Sequence, residues 1–351
     1  MVDAGELQTL DVATIEPERM PPVLAESDTP AVRKRIERFF LSIEKALELW
    51  VNRCDSVHTR RAYEQDVMAF IKHLNIAWPN EAVGLLAVSV AQVLEWRDQL
   101  RQGQAAPKTI NRRISSVSSF YKFLQAIAAE MRLPIVVPNP AHSQFISRAS
   151  TDPIDETKSL SATKARQLMG LPQGNGIIAC RDRAILKFFL YSGARIGTAC
   201  RLNVGDFHQD GEDATIRISE KGEKRRTIGL HFAAAESISE YLQLANISRG
   251  TLFRPRSGPR SQTLANRQMT TTAMNQLVGR YLKQLPGSVL DGRCIYTAHS
   301  LRATTATLLL DAGVDISKVQ ELLGHRHITT TQIYDKRRRG SSDSASHDVP
   351  I

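Results

Sequence analysis

The sequence predicts a two-domain, mainly α-helical protein whose second domain carries one small antiparallel β-sheet. Three observations predict it. Apolar residues recur at spacings of three and four over most of the chain. A proline-rich polar stretch at 133–153 breaks that pattern. Two short alternating segments on either side of residue 222 are the clearest strand signals. At 351 residues the chain is long enough for two domains, each with its own core. The expected boundaries are an acidic, disordered tail at 1–31, a four-helix bundle at 32–132, a linker at 133–159, a mixed but mostly helical domain at 160–339 and a tail at 340–351.

In the first domain, Phe39, Ile43, Ala46, Leu47 and Trp50 define one apolar helix face. Tyr63, Val67, Phe70, Ile71 and Leu74 define a second, following His58 and Thr59. Val90, Val93, Leu94, Trp96 and Leu100 define a third. The fourth starts after Pro107 and runs through Ile110, Ile114, Val117, Tyr121 and Leu124. Four amphipathic helices in about 100 residues make a bundle. Pro134, Pro138, Pro140 and Pro153 then exclude a continuous helix.

In the second domain Ser161 is placed to cap a helix running through Leu168. A strongly helical stretch at 181–192 ends at Gly193, a C-cap. Residues 215–219 and 226–230 alternate like strands, and Lys221-Gly-Glu-Lys224 between them reads as a hairpin turn. Helical patterns return at 233–244 and 271–285 and dominate 300–334.

The formal net charge is +10, unevenly spread. Residues 1–31 hold seven acids and one base, a net of −6, which leaves +16 on the remainder. A basic body of that size points to a polyanion, of which nucleic acid is the commonest. No apolar run reaches membrane-spanning length, and no secretory leader pattern opens the chain. The four cysteines lie far apart without a CxxC, against a disulfide framework or thiolate zinc site. The sequence therefore predicts a cytoplasmic protein.

Four motifs in the second domain belong together. They are Ser192-Gly-Ala-Arg195-Ile, the lysines Lys221 and Lys224 followed by Arg225 and Arg226, His299-Ser-Leu-Arg302, and Leu322-Leu-Gly-His325 with Tyr334 nine residues on. His325 and His327 form an HxH, too little for a metal site, so no metal is predicted. In this order the motifs resemble the active-site signature of the tyrosine recombinase (phage integrase) family. The resemblance spans about residues 40–335. It includes Thr297-Ala-His299-Ser-Leu-Arg302-Ala-Thr-Thr-Ala-Thr, Thr330-Thr-Gln-Ile-Tyr334 and, in the first domain, His58-Thr-Arg-Arg-Ala-Tyr63 and the stretch from Thr109 to Leu124.

That resemblance implies the tyrosine recombinase catalytic fold and a site-specific DNA recombinase acting through a 3′-phosphotyrosyl intermediate. Strands would be exchanged between two sites through a Holliday junction, for integration, excision or resolution by a mobile element. It implies double-stranded DNA with paired inverted half-sites, a homodimer on one site, a homotetramer in the synaptic complex, association with the bacterial nucleoid and no cofactor. The catalytic set would be Arg195, Lys221, His299, Arg302, His325 and the nucleophile Tyr334. Chemistry independent of the family agrees with these types. Two guanidiniums suit the non-bridging oxygens of a phosphodiester, and a phenol can attack phosphorus and store the bond energy for religation. The resemblance gives Lys221 the proton for the leaving 5′-oxygen, with His299 and His325 helping to move the proton off Tyr334.

The DNA-contacting set is expected to be His58, Arg60, Arg61, Lys108, Thr109, Asn111, Arg112, Lys224 and Arg225, on polar helix faces and the hairpin. One position departs from the family, which has Glu or Asp three residues after the first arginine; here it is Thr198, while Asp206 does match. The competing readings are a type IB topoisomerase-like nicking-closing enzyme and a catalytically silent DNA-binding protein.

Overall fold

The computed structural model describes residues 30–148, 157–211, 213–219 and 225–335. The acidic segment 1–29, both hairpin lysines Lys221 and Lys224, and the tail beyond Asp335 lie outside these residues. The chain divides into two compact units, Met1–Thr151 and Asp152–Ile351.

The first unit contains α1 (Pro30–Leu41), α2 (Ile43–Asn52), α3 (Val57–His73), α4 (Val90–Gln102) and α5 (Pro107–Glu130). The first predicted helical segment is thus two helices, interrupted at Ser42. Its hydroxyl donates to the Phe39 carbonyl at 2.8 Å and its own N–H turns back to the same oxygen, a local serine bond that competes with helix continuation. Ser56 and Ser89 cap α3 and α4 through their side chains, and Pro107 opens α5 with φ already set. The core joins Phe39, Trp50, Phe70, Trp96, Phe120 and Tyr121, all buried. Leu133, Val137, Ala141 and Ile146 are buried in the same core. The first part of the stretch expected as linker therefore packs on this unit: its prolines forbid a helix but leave its apolar side chains free to dock.

A buried carboxylate joins α3 to α5. Asp66 accepts from Arg112, and from the Ser116 hydroxyl at 2.8 Å, with Arg113 at 3.8 Å.

The second unit contains α6 (Ala162–Gly170), α7 (Ile177–Ser192), α8 (Ile196–Arg201), β1 (Phe207–Asp210), β2 (Asp213–Ser219), β3 (Arg225–Gly229), α9 (Phe232–Leu244), α10 (Thr271–Leu282), β4 (Val289–Leu290), β5 (Arg293–Cys294), α11 (Ala298–Asp311), α12 (Ile316–Leu323) and α13 (Ile328–Gln332). Helix α7 is central, burying Ala184, Ile185, Leu186, Phe188 and Phe189 against α9, α11 and the sheet. The three-stranded sheet runs β1-β2-β3, antiparallel throughout, with Ile216 facing Ile228 and Ile218 facing Arg226. Its period-two burial turns Ala214, Ile216 and Ile218 inward. Among the described residues no helix is long and apolar enough to cross a membrane.

All three tryptophans, Trp50, Trp78 and Trp96, lie in the first unit, so their fluorescence reports its unfolding alone. Asp66→Ala is expected to lower that unit's stability by roughly 1–3 kcal/mol. This is less than a fully buried pair costs, because Arg112 can turn to solvent. Urea unfolding followed by tryptophan emission measures it, and an unchanged midpoint would show the pair to be idle.

Candidate active site

The site is built where α7 ends, α11 begins and α12 ends. Helix α7 terminates in Gly193, whose φ of 59° is the left-handed region that glycine enters without strain. A Cβ at Gly193 would lie 2.5 Å from the Leu323 side chain, so only glycine lets the two segments approach this closely. Two residues on, Arg195 stands exposed at the N-cap of α8.

Helix α11 carries His299 in its first turn and Arg302 in its second. Arg302 is 2% exposed. It donates to the Gly193 carbonyl from Nη1 and to the Leu323 carbonyl from Nη2, each at 2.8 Å. These bonds reach across 109 and 21 residues and fix the plane of the guanidinium. Helix α12 ends at Gly324, again left-handed, and delivers His325 directly after it. The His325 Nδ1 lies 2.9 Å from the Thr331 hydroxyl on α13. Its ring is nearly parallel to that of Tyr334, centroids 6.1 Å apart. Tyr334 is largely buried, and its hydroxyl lies 3.5 Å from Nε2 of His299.

Electrostatics follow from this crowding of positive charge. Burial, then the charges of Arg302, Arg195, His299 and Arg226, push the His325 imidazole from its ordinary value down to about 3. His299 keeps an open edge to solvent, yet desolvation by its neighbours and the same two arginines lower it as well. Both imidazoles are therefore neutral at pH 7 and able to accept a proton. The Tyr334 phenol is raised by burial, against the pull of Arg302 and Arg195. An anion placed among these groups would bring both imidazoles back toward their ordinary value and would raise the Tyr334 phenol further.

Of the six residues in the expected catalytic set, the structure gathers Arg195, His299, Arg302, His325 and Tyr334. Lys221 lies outside the described residues. Thr198 is buried on α8, and Asp206 pairs with Arg217 at 3.1 Å and accepts from the Asn203 N–H. The acid that matches the family is thus spent on β2, and Arg302 is held by backbone carbonyls instead. Sequence reasoning missed those two carbonyls, Thr331, and the grip of Arg226 on α12. Only Gly193 and Gly324, glycines directly after apolar helices, signalled that backbone would come close there.

The expected DNA-contacting residues are dispersed. His58, Arg60 and Arg61 occupy the first turn of α3, with His58 and Arg61 exposed. Lys108, Thr109, Asn111 and Arg112 occupy the start of α5. Asp66 sets Arg112 level with the middle of α3, so the His58 group lies about 12 Å away along that helix. Arg112 has its charge committed to Asp66. In the second unit Arg225 is exposed at the start of β3, and Lys224 lies outside the described residues.

Comparison with known proteins gives this arrangement its class. Residues 158–339 match the phage integrase family, and residues 46–126 match the phage integrase N-terminal SAM-like domain. The chain belongs to the phage integrase family and is a site-specific tyrosine recombinase, an enzyme that cleaves and rejoins DNA. Its relatives include tyrosine recombinase XerC of Vibrio vulnificus, 30% identical over 323 residues and covering 88% of this chain and 89% of that one. XerC of Mycobacterium tuberculosis is 30% identical over 285 residues, covering 80% and 88%. Among solved structures, XerH bound to difH in a pre-cleavage complex superposes with a TM-score of 0.62 at 16% identity, covering 88% and 94%. A lambda integrase dimer bound to a COC′ core site gives 0.61 at 15% identity, covering 91% and 85%. These likenesses favour neither the topoisomerase nor the silent-binder reading.

Gly193→Ala is expected to lose roughly 1–3 kcal/mol, from the left-handed backbone and the Leu323 overlap. Thermal or urea unfolding of the second unit, followed by far-UV dichroism, measures it; wild-type stability would refute the close approach. The depressed His325 has a second consequence. Between pH 6.5 and 3 the unfolded chain binds a proton there that the folded chain does not, so stability falls as pH drops through that window. His325→Asn should flatten the slope of stability against pH, and an unaltered slope would contradict the assignment.

Proposed function

We propose that Tyr334 attacks the scissile phosphate, forming a 3′-phosphotyrosyl bond and releasing a 5′-hydroxyl strand. Arg195 and Arg302 hold the non-bridging oxygens, where preorganised donors are worth about 3–4 kcal/mol each in comparable oxyanion sites. Neutral His299, 3.5 Å from the Tyr334 hydroxyl, takes up the phenolic proton. His325 hydrogen-bonds the phosphate, and Lys221 protonates the departing 5′-oxygen. Attack by the 5′-hydroxyl of a partner strand reverses the step with tyrosine as leaving group, so no water or nucleotide is consumed. The observation that carries this reading is the contact of a largely buried tyrosine hydroxyl with His299, beside a guanidinium that backbone carbonyls hold fixed.

On DNA, the first unit would contact phosphates through His58, Arg60, Arg61, Lys108, Thr109, Asn111 and Arg112, and the hairpin through Lys224 and Arg225. The sites would be paired inverted half-sites, bound by a dimer and brought together in a tetramer that exchanges strands through a Holliday junction. The lambda integrase dimer on its core site supports the dimer, and the XerH complex with difH supports binding to a specific duplex. The DNA would be that of a mobile element or a bacterial nucleoid, met in the cytoplasm. Residues 32–132 and 160–339 would be the two working domains.

The test begins with duplexes selected from a randomised 40-base-pair pool by the Tyr334→Phe protein, which binds without cutting. Wild-type protein is then given nicked versions of the selected duplexes. A covalent protein–DNA adduct is expected with wild type, and at least a thousandfold less with Tyr334→Phe. Absence of an adduct on every selected duplex would overturn the reading.

A further inference from the structure

The β2–β3 hairpin and the His325 segment are far apart in sequence, yet one side chain joins them. Arg226 stands on β3 opposite the buried Ile218, on the sheet's inner face. Its Nη1 donates to the carbonyl of Glu321 and to that of Leu322, each at 2.8 Å. These are two of the last three carbonyls of α12, at the negative end of its dipole, and the Glu321 oxygen also accepts from the Gly324 N–H at 3.0 Å. The next carbonyl, Leu323, accepts from Arg302. Three successive carbonyls are thus held by two guanidiniums, and the chain then turns through Gly324 into His325. From outside the phosphate cluster the turn is held by Arg226 and by Gln320, whose Nε2 donates to the His325 carbonyl at 3.0 Å.

We propose that Arg226 is a positioning residue for strand cleavage: by gripping the last turn of α12 it places His325, and beyond it Tyr334, against the phosphate. This inference rests on the reaction proposed above. A helix end held by Arg302 alone would keep one of the three carbonyls that guanidiniums bond, and the last turn of α12 would lose its tie to β3. His325 would then shift relative to Thr331 and Tyr334, its two neighbours on the far side. The charged and titratable groups facing His325 are Arg302, Arg195, His299, Tyr334 and Arg226 itself. Removing Arg226 therefore also removes one of the charges that keep the imidazole neutral. A merely structural cap would change stability without changing the titration of His325 or the rate on bound DNA.

The experiment compares Arg226→Met, Arg226→Gln and Arg226→Lys with wild type by three readouts. These are the affinity for a selected duplex, the rate of adduct formation on the nicked duplex at saturation, and the NMR titration of His325 in DNA-free protein. Arg226→Met is expected to slow adduct formation at least tenfold, to bind the duplex within about threefold of wild type, and to move the His325 titration to higher pH. Arg226→Lys is expected to recover most of the rate. Should Arg226→Met not fold, Arg226→Gln, which keeps a donor but not the charge, is expected to show the same slowing and the same titration change. Wild-type rate and wild-type titration in a folded neutral variant would overturn the proposal. If wild-type protein makes no adduct, the reaction reading fails by itself, and the DNA-free titration still decides whether Arg226 sets His325.

Discussion

The buried guanidinium of Arg302 is the constraint around which the second unit is arranged. A full positive charge at 2% exposure costs several kcal/mol to desolvate. Hydrogen bonds from a charged group, about 1.5–3 kcal/mol each, offset that cost only if acceptors are brought to it. The chain brings two backbone carbonyls, Gly193 at the end of α7 and Leu323 at the end of α12. Both helix ends close in left-handed glycines, because only there can the backbone turn away quickly enough to leave its carbonyls pointing inward. Using carbonyls in place of a carboxylate keeps the local charge positive. Burial and the same positive field together hold His325 and His299 neutral.

From that arrangement the chemistry follows without further parts. Arg195 arrives because Gly193 ends α7 two residues before it. His299 arrives because it lies one turn ahead of Arg302 on the same helix face. His325 and Tyr334 arrive because α12 ends against Arg302 and α13 folds back to bring Thr331 onto His325. A neutral imidazole beside a buried phenol is a proton acceptor beside a nucleophile. Two guanidiniums beside both form a receptor for the charge that grows on phosphorus.

The sequence made some of this legible and hid the rest for physical reasons. Periodicity exposed the helices of the first unit because each buries a stripe against the same core. It missed the break at Ser42, since a serine hydroxyl bonding back to Phe39 leaves no mark on the apolar pattern. The prolines mark 133–159 as linker, whereas Leu133, Val137, Ala141 and Ile146 reveal their role only once a core exists to receive them. The order of the arginines, histidines and tyrosine was readable through resemblance. What orients them was not, because backbone carbonyls have no letter in a sequence. Asp206, which matches the family pattern, bonds Arg217 on β2. The carboxylate that does tie two helices together, Asp66, passed unnoticed in the middle of an amphipathic helix.

The central claim is that burial within a preorganised, positively charged receptor keeps His325 neutral until a phosphate offsets that charge. The most direct measurement is the NMR titration of His325 in the Tyr334→Phe protein, with and without a bound selected duplex. A rise of the His325 midpoint toward the ordinary imidazole range on binding DNA is the predicted result. A midpoint that stays where it was, or that falls further, would contradict the account.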